Sequence, residues 1–230
     1  MAERRNTMKY RHEWKHEINY EDLLTLRMRL SAVMKRDVHA VNGVYEIRSL
    51  YFDNLSDKAL REKIDGVNIR EKFRIRYYNG DTSFIMLEKK SKVNGLCAKE
   101  SCQITAQEAQ QIVDGDLSWM PGSNRPLCQE LYSKMHSQGL MPKTIVDYTR
   151  DPFVYGPGNV RITIDYNIRT GVFRTDFLNS ETLTLPAGDS PIILEVKWDD
   201  YLPDIIKDAV LIPGRHVCAF SKYEQCRIYG

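Results

Sequence analysis

The chain has 230 residues, with 33 lysines and arginines against 31 aspartates and glutamates, 42% apolar residues and a formal charge of +2. That balance supports an ordinary folded core and argues against a protein that coats nucleic acid through a generally positive surface; any basic site has to be local. No apolar run reaches the length of a membrane span, so membrane insertion by this chain is not expected.

The amino-terminal stretch "MAERRNTMKYRHEWKHE" is charged and lacks the apolar core of a signal peptide. Cys97, Cys102, Cys128, Cys218 and Cys226 form no Cys-x-x-Cys pair and are odd in number, so neither a disulfide framework nor a structural zinc site is expected. The reading is a cytoplasmic protein with reduced thiols. With no repeat, low-complexity tract or linker, residues 1–230 read as one domain.

In chain order, the first predicted strand covers residues 9–18. A helix follows, with Asn19 as N-cap, Asp22 in the first turn and Leu23, Leu26, Leu30 and Val33 at helical spacing. "YEIRSLYFD" is a strand rich in aromatic and branched residues. "SDKALREKIDG" is a short helix between a Ser56 cap and a Gly66 stop. Strands over 67–78 and 83–92 join through Asn79-Gly80, a strong hairpin signal, and "AKESCQIT" is a further strand. "TAQEAQQIVDG" carries a Thr105/Glu108 capping box and a Gly115 end; "RPLCQELYSKMHSQG" is the next helix. Strands resume over 143–155, 160–169 and 191–198, and "LPDIIKDAVLI" and "CAFSKYEQCRIYG" read as terminal helices. Many antiparallel strands with peripheral helices predict an α+β fold built on a large sheet or barrel.

The strands share one peculiarity. "REKFRIRYYNG" puts Arg70, Lys72, Arg74 and Arg76 on one face and Phe73, Ile75 and Tyr77 on the other. Arg11, Glu13, Lys15 and Glu17 share a face, as do Glu88, Lys90 and Lys92, then Arg161, Thr163 and Asp165, then Glu195 and Lys197; Lys99 and Arg150 add strand cations. A solvated polar face explains any one strand. The whole set is rich in arginine, which suits bidentate phosphate binding. If these faces turn inward, two like charges about 5 Å apart repel by roughly 3 kcal/mol at an effective dielectric near 20. Such a lining calls for compensating carboxylates, or for a polyanion and a metal. The hairpin sets a condition on this: a two-residue loop would pair Arg74 with Ile85 and put Glu88 on the opposite face. A three-residue loop would pair Lys72 with Glu88 and Arg70 with Lys90, so an odd loop count, with a bulge at Gly80, is required, and a two-residue loop counts against the inward-facing set.

"RHEWKHEI", "YEIRSLYFDN", "FRIRYYNG", "LEKKSK", "YTRDPF", "VRITIDYNI", "ILEVKW" and "FSKYEQC" occur in the order of the motifs of the VTC domain, and over nearly its whole length the chain resembles that family. This is the polyphosphate polymerase domain of the vacuolar transporter chaperone complex, within the triphosphate tunnel metalloenzymes. The resemblance implies a closed antiparallel β-barrel tunnel with peripheral helices that binds ATP, triphosphate or polyphosphate with Mn2+ or Mg2+ and moves the ATP γ-phosphate onto a growing polyphosphate chain. By motif, it implies phosphate contacts from Lys15, Arg74, Arg76, Lys90, Lys99, Arg150, Arg161, Lys197 and Lys222. Of these, Lys15, Arg74 and Arg76, with Glu195, form the catalytic set, and Glu195 matches the metal-binding glutamate; on chemical grounds Glu13 or Glu88 would help it hold the ion. The superfamily's ExExK reads Arg11, Glu13, Lys15 here, which weakens a two-metal hydrolase and suits polyphosphate better.

Three functions stay open: polymerase, triphosphatase with water as nucleophile, and non-catalytic polyphosphate or nucleotide binder. A tunnel open at both ends favours the first and a closed end the second. His12 and His16 read as packing or surface residues, Tyr77 and Tyr148 as core, and Asp53 as a turn former.

Overall fold

The computed structural model describes residues 11–228. Its elements are β1 (His12–Ile18), α1 (Tyr20–Val33), β2 (Lys35–Arg36), β3 (Tyr45–Asp53), α2 (Lys58–Ile64), β4 (Arg70–Tyr78), β5 (Asp81–Val93) and β6 (Leu96–Ile104). There follow α3 (Ala106–Asp114), α4 (Pro126–Gln138), β7 (Met141–Tyr155), β8 (Val160–Thr170), β9 (Leu185–Pro186), β10 (Ile192–Trp198), α5 (Asp204–Val210) and α6 (Lys222–Ile228). Lys9 and Tyr10 of the first predicted strand, and Tyr229 and Gly230 of the last predicted helix, lie outside the described residues.

Local chemistry sets the helix ends. Asn19 caps α1 reciprocally with Asp22, and Thr105 caps α3 reciprocally with Glu108. Gly115 ends α3 at φ 82°. α2 departs from expectation. Its N-cap is Asp57, in the left-handed region, not Ser56. The reason is Asp53, whose buried carboxylate accepts the N–H groups of Asn54 and Ala59 at 2.9 Å and of Leu60 at 3.2 Å, while Asn54 Oδ1 accepts from Lys58 N at 3.0 Å. The orphan donors of the first turn are thus already satisfied.

One antiparallel sheet organises the chain, with strand order β1-β10-β8-β7-β3-β4-β5-β6; the two-residue strands β2 and β9 attach to β7 and β8. The apolar strand faces look outward, beneath helices. α1 and α5 bury Leu23, Leu26, Leu30 and Ile206 against Ile162, Ile164, Leu194 and Val196. α3 and α4 bury Ile112, Leu127 and Leu131 against Leu50, Phe73, Ile75 and Leu87. Burial at about 25 cal/mol per Å2 commits these faces to the helices, and the charged faces are left on the concave side. α6 lies on that concave side at one end, where Tyr223 and Cys226 pack against Ile47, Tyr51, Val146, Tyr148, Ile168 and Ile193.

The closed barrel expected from the sequence is not formed. The sheet curls into a half-barrel whose edge strands, β1 and β6, meet at one bridge, Arg11 N donating to Cys97 O at 3.2 Å. Carried toward Ile18, that register leaves β6 after Leu96 and runs into the turn at residues 94 and 95, so the ladder does not continue along β1.

The β4–β5 hairpin lacks the odd loop that the sequence reading requires, and reaches the same facing by another route. Tyr78 pairs with Asp81, so the loop is the two-residue Asn79-Gly80, with φ 52° and 72° as a type I′ turn requires. By itself this would separate Arg74 from Glu88. Before the next pair, Arg76 with Met86, β5 carries residues 82–85 against Tyr77 alone on β4. That surplus of three residues reverses the parity, so Arg74 pairs with Glu88, Lys72 with Lys90 and Arg70 with Lys92. The expected Lys72–Glu88 pair does not form, and the irregularity lies in β5 rather than at Gly80.

Candidate functional site

The concave face gathers side chains from all eight principal strands. Glu13 and Lys15 come from β1, Glu195 and Lys197 from β10, Arg161, Thr163 and Asp165 from β8, and Tyr148 and Arg150 from β7. Ser49 and Tyr51 come from β3, Lys72, Arg74 and Arg76 from β4, Glu88 and Lys90 from β5, and Lys99 from β6. Lys222, the first residue of α6, reaches into the same space.

Four carboxylates hold the cations apart. Glu88 pairs with Arg74 at 2.6 Å, Lys99 at 2.5 Å and Arg76 at 3.8 Å. Asp165 receives both Nε and an Nη of Arg150, at 2.7 and 2.8 Å, and Lys222 at 2.5 Å. Glu195 pairs with Lys197 and, at 3.8 Å, Arg150. Glu13 is shared by Lys90 at 3.0 Å, Lys15 at 3.3 Å and Lys197 at 3.4 Å. The remaining polar groups complete the frame: Arg74 donates to Tyr51 Oη and Arg76 to Tyr148 Oη, both at 2.8 Å, and Arg76 donates to Ser49 Oγ at 2.9 Å.

Burial works against every one of these charges, and the partners overcome it at each carboxylate. Burial would raise Glu88, yet Arg74, Arg76 and Lys99 hold it well below the usual range. Burial would raise Glu195, yet Lys197, Lys15, Lys90 and Arg150 hold it well below. Asp165 falls to about 2 because Arg150 and Lys222 outweigh burial. Glu13 is lowered too: burial and Glu195 push it up, and Lys15, Lys90 and Lys197 more than compensate. All four carboxylates are therefore ionised at neutral pH, and none of them is poised as a general acid.

Sequence reasoning placed most of this set. Lys15, Arg74, Arg76, Lys90, Lys99, Arg150, Lys197, Lys222, Glu13, Glu88 and Glu195 do converge. Arg161 shares the face but is exposed at the end away from α6, and among the described residues it makes no ion pair. His12 and His16 lie on the other face of β1; His12 stacks on Trp198 with ring centroids 5.3 Å apart. Tyr77 is core, whereas Tyr148 borders the site. The sequence alone does not single out Asp165, Tyr51, Ser49 or Lys72 as site residues. Asp165 and Lys72 carried a readable signal, since each has the strand parity of a predicted ligand, Arg161 and Arg74 respectively.

Glu88 and Glu13 are each paired with three cations and Glu195 with two, so ion pairing does not separate the three expected metal ligands; position does. Glu13 and Glu195 stand on adjacent strands, Glu13 opposite Lys197 and Glu195 opposite Lys15. Among the described residues no group of three or more His, Cys, Asp or Glu residues converges. Two carboxylates suit a Mg2+-like ion that takes its other ligands from phosphate oxygens and water. Opposite Glu195, Thr163 Oγ1 is buried without a hydrogen-bond partner among the described residues.

The family model of the VTC domain matches residues 10–228. The chain belongs to the VTC domain family. Among solved structures, this VTC domain superposes on a Bacillus halodurans protein described as a candidate adenylate cyclase, with a TM-score of 0.51 at 12% identity, over 82% of this chain and 80% of that one; the likeness is one of fold. More distant likenesses include a Pyrococcus horikoshii protein (TM-score 0.48, 12% identity, 94% and 99% of the two chains) and the Mimivirus capping enzyme triphosphatase (0.41, 11%, 89% and 87%). No curated protein sequence matches. No helix among the described residues is long and apolar enough to cross a membrane.

Proposed function

We propose that this VTC domain binds the triphosphate of ATP and linear polyphosphate along its concave face, and transfers the γ-phosphoryl group to the end of a polyphosphate chain. The observation that carries the reading is the charge imbalance of that face. Lys15, Lys72, Arg74, Arg76, Lys90, Lys99, Arg150, Arg161, Lys197 and Lys222 stand over Glu13, Glu88, Asp165 and Glu195, and all four carboxylates are already engaged. A triphosphate supplies part of the missing counter-charge, and a longer polyphosphate more of it. Family membership points the same way.

The mechanism follows from what these residues can do. Arg74 and Arg76, fixed by Glu88, Tyr51, Ser49 and Tyr148, present guanidinium donors that would hold successive phosphates. Lys15, anchored on Phe220 O at 3.1 Å, keeps its charge: burial alone would lower it, but Glu195 and Glu13 raise it. An oxygen of the acceptor phosphate attacks the γ-phosphorus, the bond from that phosphorus to the β–γ bridging oxygen breaks, and ADP departs. Arginine and lysine donors take up the charge on the transferring group. A Mn2+ or Mg2+ ion on Glu195 and Glu13 would add Lewis-acid neutralisation of the phosphate oxygens when bound. No step needs a covalent enzyme intermediate.

Hydrolysis is the second reading, and one observation favours it: α6 covers one end of the concave face, where a growing polymer would have to pass. Incubating the pure protein with ATP and Mn2+ separates the two. Long-chain polyphosphate with ADP supports transfer; free phosphate alone supports hydrolysis. Neither product, with tight triphosphate binding, leaves a binding module.

A further inference from the structure

Lys72 is not explained by the frame of paired charges around it. It stands on the concave face of β4, toward α6 from Arg74, with Lys90 directly opposite on β5. Its Nζ donates to Ser221 Oγ at 2.9 Å and lies 5.4 Å from the centre of the Tyr223 ring. Among the described residues no carboxylate pairs with it, whereas Lys15, Lys90, Lys99, Lys197 and Lys222 each have one. Lys15 reaches the same short stretch through Phe220 O. Ammonium groups from three strands thus converge where the chain enters α6, with the shared Glu13 as their counter-charge.

We propose that Lys72, with Lys15 and Lys90, forms an inner phosphate subsite at the α6 end of the concave face, taking the phosphate group of a linear polyphosphate that lies beyond those held by Arg74 and Arg76. The inference rests on the phosphate-binding reading above and extends it to chain length. It also gives Lys72 a property that no arginine in the site has. Burial, then the charges of Lys15 and Lys90, lower the empty-state amine to about 7, with Lys63 of α2 adding to the effect. Glu224 of α6 opposes the shift but is paired with Lys63 at 2.8 Å.

The other charges nearby are committed elsewhere. Asp53 is held by backbone N–H groups and by Tyr223 Oη at 2.7 Å; Glu71 pairs with Lys134, and Glu62 with Lys58 at 3.8 Å. Arg70 and Arg74 flank Lys72 on its own strand. Above pH 7 the empty subsite therefore holds a largely neutral amine, and an arriving phosphate recharges it with a proton from solvent.

Calorimetric titration with tripolyphosphate and with pyrophosphate at pH 8, in two buffers of different ionisation enthalpy, tests this. The wild-type protein binds tripolyphosphate and takes up close to one proton more than Lys72→Arg, whose guanidinium is always charged and which keeps the affinity. Lys72→Met loses at least about tenfold in tripolyphosphate affinity, as expected for a lost charged hydrogen bond, and loses less for pyrophosphate; its thermal melting shows that it folds. If Lys72→Met binds tripolyphosphate as tightly as wild type, or Lys72→Arg shows the wild-type proton uptake, the inner subsite is refuted while the phosphate-binding reading stands. If the wild-type protein binds no tripolyphosphate, that reading falls and the subsite with it.

Discussion

Glu88 is held by three cations at once, so removing its charge has opposite consequences in the empty and the loaded site. In Glu88→Gln, Arg74, Arg76 and Lys99 lose their counter-charge inside a buried cluster, which costs about 3–5 kcal/mol when one partner of a buried pair is lost. A bound triphosphate supplies that charge again. Urea unfolding should show a large loss for the free variant and a much smaller one with tripolyphosphate present; equal losses in both states would remove Glu88 from the site's charge balance. Much at this scale is readable in the sequence. Alternation along "FRIRYY" separates Arg74 and Arg76 from Phe73, Ile75 and Tyr77, because a strand's period is fixed by covalent geometry. Which carboxylate meets which cation is not readable. Asp165 meets Arg150 through the pairing of β7 with β8, and Lys222 through the docking of α6, and neither is a local property. The same holds for Lys72, which among the described residues pairs with no carboxylate and has Lys90, Ser221 and Lys15 as neighbours.

The β4–β5 hairpin shows where element-scale reading stops. Asn79-Gly80 declares its turn type, because only residues tolerant of positive φ fit both central positions. The three surplus residues of β5 have no such signature, since neither turn chemistry nor alternation marks where a strand takes up extra residues. Their consequence can be tested. Deleting Ser83 leaves a surplus of two, which restores the wrong parity and turns either Glu88 and Lys90 outward or Leu87 inward. The expected outcome is loss of cooperative unfolding and of tripolyphosphate binding. Deleting two residues from the same stretch keeps the parity and should be milder. If the single deletion binds as well as wild type, the register does not set the site. α6 offers a smaller test: Tyr223→Phe removes the hydrogen bond to buried Asp53 and should cost about 1–3 kcal/mol in urea unfolding, since a buried acceptor loses a partner.

Taken together, the free molecule is limited by the charges it gathers, and its pH dependence should show this from both sides. Glu13, Glu88, Asp165 and Glu195 have folded pKa values below their ordinary ones. Their stabilisation is complete above the ordinary carboxylate pKa of about 4 and is lost as pH falls through the folded values, about 2 for Asp165. Lys72, also lowered, acts with the other consequence: between its folded pKa of about 7 and its ordinary one the folded state binds fewer protons than the unfolded, so stability rises with pH across that window. A polyanion on the concave face removes the second penalty and offsets the cation excess. Tripolyphosphate at a hundred times its dissociation constant contributes about 2.7 kcal/mol, which for a chain of this size raises the melting temperature by about 5–10 °C. The rise should shrink as sodium chloride increases, because salt screens the exposed part of the lining near Arg161 more than the buried part near Glu88. It should also shrink in Arg74→Met. Sulfate at equal ionic strength is the control: a single tetrahedral anion cannot span from Arg150 to Lys72, and an equal rise with sulfate would show general charge relief in place of a site built for a chain of phosphates.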